Sequence, residues 1–196
     1  MIHRPAPLRF FFHAATGLTL AFLVFLLGRK EGVFLIGSLF LVTILVEALR
    51  LTVPAINRVF VGLVGPMLKD LEVRRPTGVG YFLGGTLTCL LLFDLEVTLA
   101  SLVILSVGDP AAAVVGQRWG QIRIGEKTLE GMAGFFVGAM VSGVILRGFW
   151  PGLSLPVFAA GAFTGAVVEC LPLKIDDNLI LPPAAALAME VSIRFF

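Results

Sequence analysis

Residues 97–131 read VTLASLVILSVGDPAAAVVGQRWGQIRIGEKTLEG, and this stretch decides what kind of molecule the chain forms. A bilayer core is about 30 Å thick and takes about 20 mostly apolar residues per helix. Residues 97–116 reach that length only if Asp109 is counted inside the span. Asp followed by Pro is a favoured N-cap and N1 pair, so one reading starts a second helix at Pro110. The other keeps the carboxylate within the membrane, where charge is costly and marks a polar cavity or an ion site. A polar loop then runs from Gly116 to Thr128, and a further apolar segment follows at 131–149.

The remainder of the 196 residues has the same character. Hydrophobic residues make up 58% and charged residues 14%, with a mean hydropathy of +0.99. Soluble domains run at about 45–50% apolar and about 25% charged, so a water-soluble globular fold is excluded and lipid is the expected solvent. The net charge of +2 is too small to argue for nucleic acid as a partner. Cys89 and Cys170 lie far apart in or beside apolar runs, form no CxxC pair, and read as small core residues.

Seven apolar segments are expected to span the membrane: 10–28, 32–49, 78–93, 97–116, 131–149, 154–170 and 179–194. The first is long for a signal h-region and lacks a small-residue cleavage site, so it reads as a span. Residues 50–77 carry Pro54, Pro66 and Pro76 with interspersed charges and read as an interfacial amphipathic helix and loop. The expected fold class is therefore all-α, a polytopic integral membrane protein forming a single membrane domain over 1–196. Of 15 basic residues, all but Arg29, Lys30, Arg147 and Arg194 fall on the face that includes the N-terminus. The positive-inside rule makes that face cytoplasmic. Gly134, Gly138 and Ser142, and Gly161 and Gly165, recur at four-residue spacing and read as helix-packing faces, leaving room for a homo-oligomer.

Three constellations carry chemistry. In the first, Gly116, Gly120 and Gly125 permit close backbone approach, while Arg118, Arg123 and Lys127 supply charge for an anionic ligand. The pattern GxxxxGK[ST] is absent, so this is not a Walker A loop. Thr128 and Glu130 equally suit the start of the next helix. In the second, LPLKIDDNLILPP at 171–183, Asp176, Asp177 and Asn178 are adjacent oxygen-bearing side chains suited to Mg²⁺, or a capping cluster for the last helix. Asp109 on the same face joins Asp176 and Asp177 as candidate metal ligands, with Lys127 and Arg118 to hold a magnesium triphosphate. The third is weaker: Arg9 and His13, four residues apart, and Glu47, Arg50 and Asn57. His13 is either a packing or a site residue, and Glu47 with Arg50 an i,i+3 pair.

SVGDPAAAVVGQRWG, EKTLEG and LPLKIDDNLILP together resemble the CTP-dependent lipid kinase family, which includes dolichol kinase, phytol kinase and CTP-using diacylglycerol kinases. The resemblance extends from about residue 9 to residue 190. It implies that Asp109, Gly116, Lys127, Glu130, Asp177 and Asn178 belong to a nucleotide and metal site. At the N-terminus Arg9 and His13 match the family, whereas Phe10 stands where it has lysine. Phosphatidate cytidylyltransferases are similar around the central Asp, but their C-terminal His-Gly-Gly and Asp-Arg-x-Asp run is missing after Gly165.

The expectation is a membrane kinase that uses CTP and Mg²⁺ to phosphorylate a lipid alcohol of the polyprenol, dolichol or phytol type, or diacylglycerol. Its active site and N-terminus would face the cytoplasm, with Asp109, Lys127 and Asp177 as catalytic residues. The lipid would reach the nucleotide sideways between helices. A cytidylyltransferase is the neighbouring alternative, and a small ion or solute transporter the alternative from another class.

Overall fold

A computed structural model of the chain describes residues 7–148, 153–173 and 175–195, with the side chains of 7–9 outside that description. Helices occupy all seven expected spans: α1 (Pro7–Leu27), α2 (Arg29–Thr52), α4 (Gly78–Leu92), α5 (Leu95–Trp119), α6 (Leu129–Leu146), α7 (Leu155–Cys170) and α8 (Asp177–Ile193). The interfacial helix is α3 (Pro54–Val64), which buries none of its residues, as expected of a helix lying on a surface. Among the described residues, four helices, α1, α2, α5 and α6, are long and apolar enough to cross a membrane. The protein is an all-α integral membrane protein.

The breaks follow from local chemistry. Gly28 separates α1 from α2 at φ 82°, a conformation that L side chains rarely adopt. Val53 is extended ahead of Pro54, as a residue before proline prefers. Short 3₁₀ turns at Gly65–Met67 and Asp70–Val73 carry the chain from α3 back to α4.

Helix α5 is the centre of the bundle, packing against α1, α4, α6, α7 and α8, and every residue from Val97 to Ser106 is buried. It runs unbroken through Asp109 and Pro110, so the reading of Asp109 as the cap of a new helix is wrong. Pro110 has no N–H to give the Ser106 carbonyl, but a helix held on five sides keeps its course despite one missing bond. Asp109 thus lies ten residues before the helix end, about 15 Å inside it at 1.5 Å per residue.

Close contacts fix how the site-bearing helices sit. A Cβ at Gly17 of α1 would lie 2.0 Å from Ser106 Oγ of α5, so only glycine lets these helices approach that closely. In α8, Pro182 and Pro183 deprive the Asn178 and Leu179 carbonyls of helical donors, and Gly85 of α4 packs directly against both. A Cβ there would be 2.6 Å from the Asn178 oxygen. The glycine face of α6 is used within the chain, with Gly134 against Val115 and Gly138 against Ala111 of α5.

Candidate functional site

A cavity of about 1100 Å³ opens at the end of the bundle where α1, α4, α6 and α8 begin and α2, α5 and α7 finish. One side is polar. Asp109 from α5, Glu169 from α7 and Asp177 from α8 each offer a carboxylate oxygen, all within 4.8 Å of one another. Lys127 forms ion pairs with Glu169 and, at 3.3 Å, with Asp177. Among the described residues of this cluster, three acids against one lysine leave a formal deficit of positive charge. Glu169 Oε2 is buried and accepts no hydrogen bond among the described residues. A hard divalent cation with oxygen ligands fits both features.

Element ends explain the convergence. The 16 residues of α7 make about 24 Å, less than a bilayer core, so Glu169 one residue from its end sits below the mouth of the bundle. Asp177 is the first residue of α8, and the Gly85 contact seats that end. The Gly17–Ser106 crossing brings His13, one turn earlier in α1, opposite Asp109, one turn later in α5. His13 Nε2 stands 3.6 Å from Asp109 Oδ2, and its ring meets the edge of Phe82.

Lys127 is carried by a small hairpin inside the polar loop expected from Gly116 to Thr128. Strands β1 (Arg123–Ile124) and β2 (Lys127–Thr128) pair antiparallel around Gly125, whose φ of 62° suits the first position of a two-residue turn. Glu130 accepts hydrogen bonds from the Ile122 N–H at 3.2 Å, and Thr128 caps α6 by accepting from the Gly131 N–H at 3.0 Å. Atoms packed around the Lys127 ammonium work against its charge, but Glu169 and Asp177 outweigh them and hold its pKa above the ordinary lysine value.

The expected site residues divide. Asp109, Lys127, Asp177, Asn178, Gly116, Gly120, Thr128 and His13 all line the cavity. Within it, Gly116 and Gly120 pack against the Thr128 side chain, which accounts for their size without a ligand. Asp176 is turned away from the other acids. It caps α8 by accepting from the Asn178 N–H and Nδ2, and Lys69 lies 3.9 Å off. Burial raises its pKa, with Lys69 acting in the opposite sense. The capping alternative therefore holds for Asp176, while its neighbour Asp177 faces the acids. Arg118 stacks on Trp119 at 5.3 Å and is not part of the cavity wall; Arg123 is. Glu130 serves the hairpin. Arg9 is in α1, but its side chain lies outside the described residues.

Glu47, Arg50 and Asn57 form a buried network away from the acids. Arg50 donates to Glu47 Oε2, to Asn57 Oδ1 at 3.1 Å and to the Arg75 carbonyl at 2.6 Å, and it covers the Phe60 ring. Glu47 Oε1 accepts from the Thr77 N–H and hydroxyl, and Asn57 Nδ2 donates to the Val73 carbonyl. The network ties the 53–77 connection onto α2. Glu47→Ala would strand a guanidinium that is 1% exposed, an expected loss of about 3–5 kcal/mol in stability. Thermal unfolding in detergent reads this, and an unchanged midpoint would contradict the structural role.

Sequence reading missed Glu169. Its signals were its place among the acids gathered on the face that includes the N-terminus and a carboxylate ending an otherwise apolar segment, GAVVEC, which an interfacial residue would show equally.

Relatives exist among known proteins. The CTP-dependent diacylglycerol kinase 1 of Eremothecium gossypii is 29% identical, over 80% of this chain and 57% of that protein. Its namesake in Saccharomyces cerevisiae is 28% identical, over 80% and 62%. A probable chloroplastic phytol kinase of Triticum aestivum is 32% identical over 48% of this chain and 36% of that protein. The chain spans about three fifths of the length of the two yeast-type kinases it matches. No family model matches the chain, and no solved structure does. The relatives support the likeness read from residues 106–131 and 171–183.

Proposed function

We propose that this relative of the CTP-dependent lipid kinases is itself a membrane kinase, transferring the γ-phosphoryl of CTP to the hydroxyl of a lipid alcohol. The observation that carries the reading is the meeting of Asp109, Glu169, Asp177 and Lys127 at one side of a cavity that also has an apolar stretch of wall, formed by residues such as Leu20, Val42, Val46 and Phe60. Asp109, Glu169 and Asp177 would hold Mg²⁺, which when bound offsets triphosphate charge and polarises the γ-phosphoryl. Lys127 and Arg123 bind phosphate oxygens. The lipid oxygen bonds to the γ-phosphorus as the bond to the bridging oxygen breaks, CDP leaves, and the hydroxyl proton passes to the His13–Asp109 pair. Such transfer draws mainly on positioning and electrostatics, which the converging carboxylates and Lys127 would supply. The excess of basic residues on this end supports a cytoplasmic site.

Diacylglycerol and phytol, the acceptors in the relatives' names, lead the substrate list, and polyprenols share the same primary chemistry of a hydroxyl on an apolar body. The test incubates purified protein with Mg²⁺, γ-labelled CTP or ATP and each lipid. Label in a lipid phosphate, with CTP preferred, is the expected result. Pyrophosphate release with a nucleotide–lipid product would replace the reading with a cytidylyltransferase. Ion movement without nucleotide consumption would replace it with a transporter.

The two arginines of the loop separate by their positions. Arg123→Ala is expected to raise the KM for CTP about tenfold, as loss of a charge-assisted hydrogen bond does. Arg118→Ala, on its Trp119 stack, should leave that KM within about twofold. The reverse order, measured by initial rates, would reassign the phosphate contact.

A further inference from the structure

Beyond its acids, the cavity has an apolar arm, and its walls are incomplete. We infer that the lipid acceptor enters this arm sideways from the bilayer, through a slot between α1 and α2, and reaches the acids hydroxyl first. The inference rests on the kinase reading and adds the route and the chain-binding surface.

His13, Thr16 and Leu20 of α1 line the cavity at i, i+3 and i+7, one face of that helix, and Val42 and Val46 of α2 line it at i and i+4. Val42 is 56% exposed, Val46 39% and Phe12 of α1 39%, although all three belong to the cavity wall. Wall residues this exposed border open space rather than packed neighbours, as does Val79 at the start of α4, which is 54% exposed. On the opposite side the bundle is closed by wholly buried residues such as Ile104 and Phe135.

The slot has a packing cause. α1 and α2 are joined at Gly28 and touch near it, where Gly32 sits against Val24. Away from that joint they follow different partners. α1 is drawn onto α5 at Gly17 and Ser106, whereas α2 lies on α4, with Phe40 against Gly84 and Thr43 against Gly80. The gap between them is bordered at its polar end by Phe60 and Val64 of the interfacial helix α3. Leu20 is seven residues, or about 10 Å, along α1 from His13. Only the part of a lipid chain nearest the hydroxyl would lie inside, and the rest would stay in the membrane.

The test uses the nanodisc-embedded chain and a 1,2-diacylglycerol carrying a diazirine near its head. Label is expected on peptides covering 12–20 and 42–46. Val42→Trp and Val46→Trp should each raise the KM for lipid at least tenfold and reduce labelling, with the KM for CTP within twofold. Leu45→Trp, exposed on the same helix but outside the cavity wall, should change neither. Unchanged lipid KM and labelling in both slot variants, or label confined to α6 and α7, would overturn the route. If the wild-type protein makes no lipid phosphate, the kinase reading fails, while the labelling pattern still reports the slot.

Discussion

Glu169→Gln is expected to lower lipid phosphorylation by about 10²- to 10³-fold, the scale on which a preorganised electrostatic contact at a reacting centre acts. The side chain of Glu169 is only 5% exposed and borders both Asp109 and Asp177. Removing its charge leaves two carboxylates against one lysine, so the pull on a divalent cation weakens while shape is kept. The rate of the variant should therefore climb with Mg²⁺ concentration well beyond the point at which the wild-type enzyme saturates. Asp109→Asn belongs to the same ligand set, and the double variant should lose much less than the product of the two single losses. Steady-state rates across a Mg²⁺ titration decide the matter. Wild-type turnover in Glu169→Gln at low Mg²⁺ would remove the carboxylate cluster from the mechanism.

Lys127→Ala is the second large loss, again about 10²- to 10³-fold, because a cation paired to both Glu169 and Asp177 and a contact for the triphosphate disappear together. Lys127→Arg keeps the charge and should recover part of the rate; equal loss in both variants would mean that the ammonium's fixed geometry, not its charge, is what matters. Neighbouring acids raise the Lys127 pKa, so the sign is that of a cation stabilised in the fold. Its contribution is complete below the ordinary lysine pKa and is lost only as pH rises through the higher folded value. Any fall in activity between pH 6 and 9 must then come from another group. A Lys127→Ala protein that retained phosphoryl transfer would detach the hairpin from catalysis.

Much of this architecture can be read from local signals. The apolar runs marked every long helix to within a few residues, since helix length is set by bilayer thickness and ends at Gly28, Pro54 and Asp176. Lys127 and Asp177 were legible because charged side chains between apolar segments have few places to go. Glu47, Arg50 and Asn57 looked like equal candidates, and their hydrogen bonds to the 73–77 backbone, 16 to 30 residues away in the chain, assign them to holding a connection instead. Asp176 and Asp177 are adjacent in sequence, yet one closes a helix end and the other faces the acids, because consecutive residues at a helix start point in different directions.

By itself the order of residues determined an all-α membrane protein, the ends of its helices and the acids and lysine of its polar connections, all properties that depend on composition and spacing within about twenty residues. Tertiary structure alone decided that α5 stays continuous through Asp109–Pro110, that Glu169 joins Asp109 and Asp177, that Arg118 turns away, and that α1 and α2 part. The meeting of the acids and the parting of α1 and α2 depend on helix contacts such as Phe40–Gly84, Gly17–Ser106 and Gly85–Asn178, 44 to 93 residues apart in the chain, and no local pattern encodes that distance.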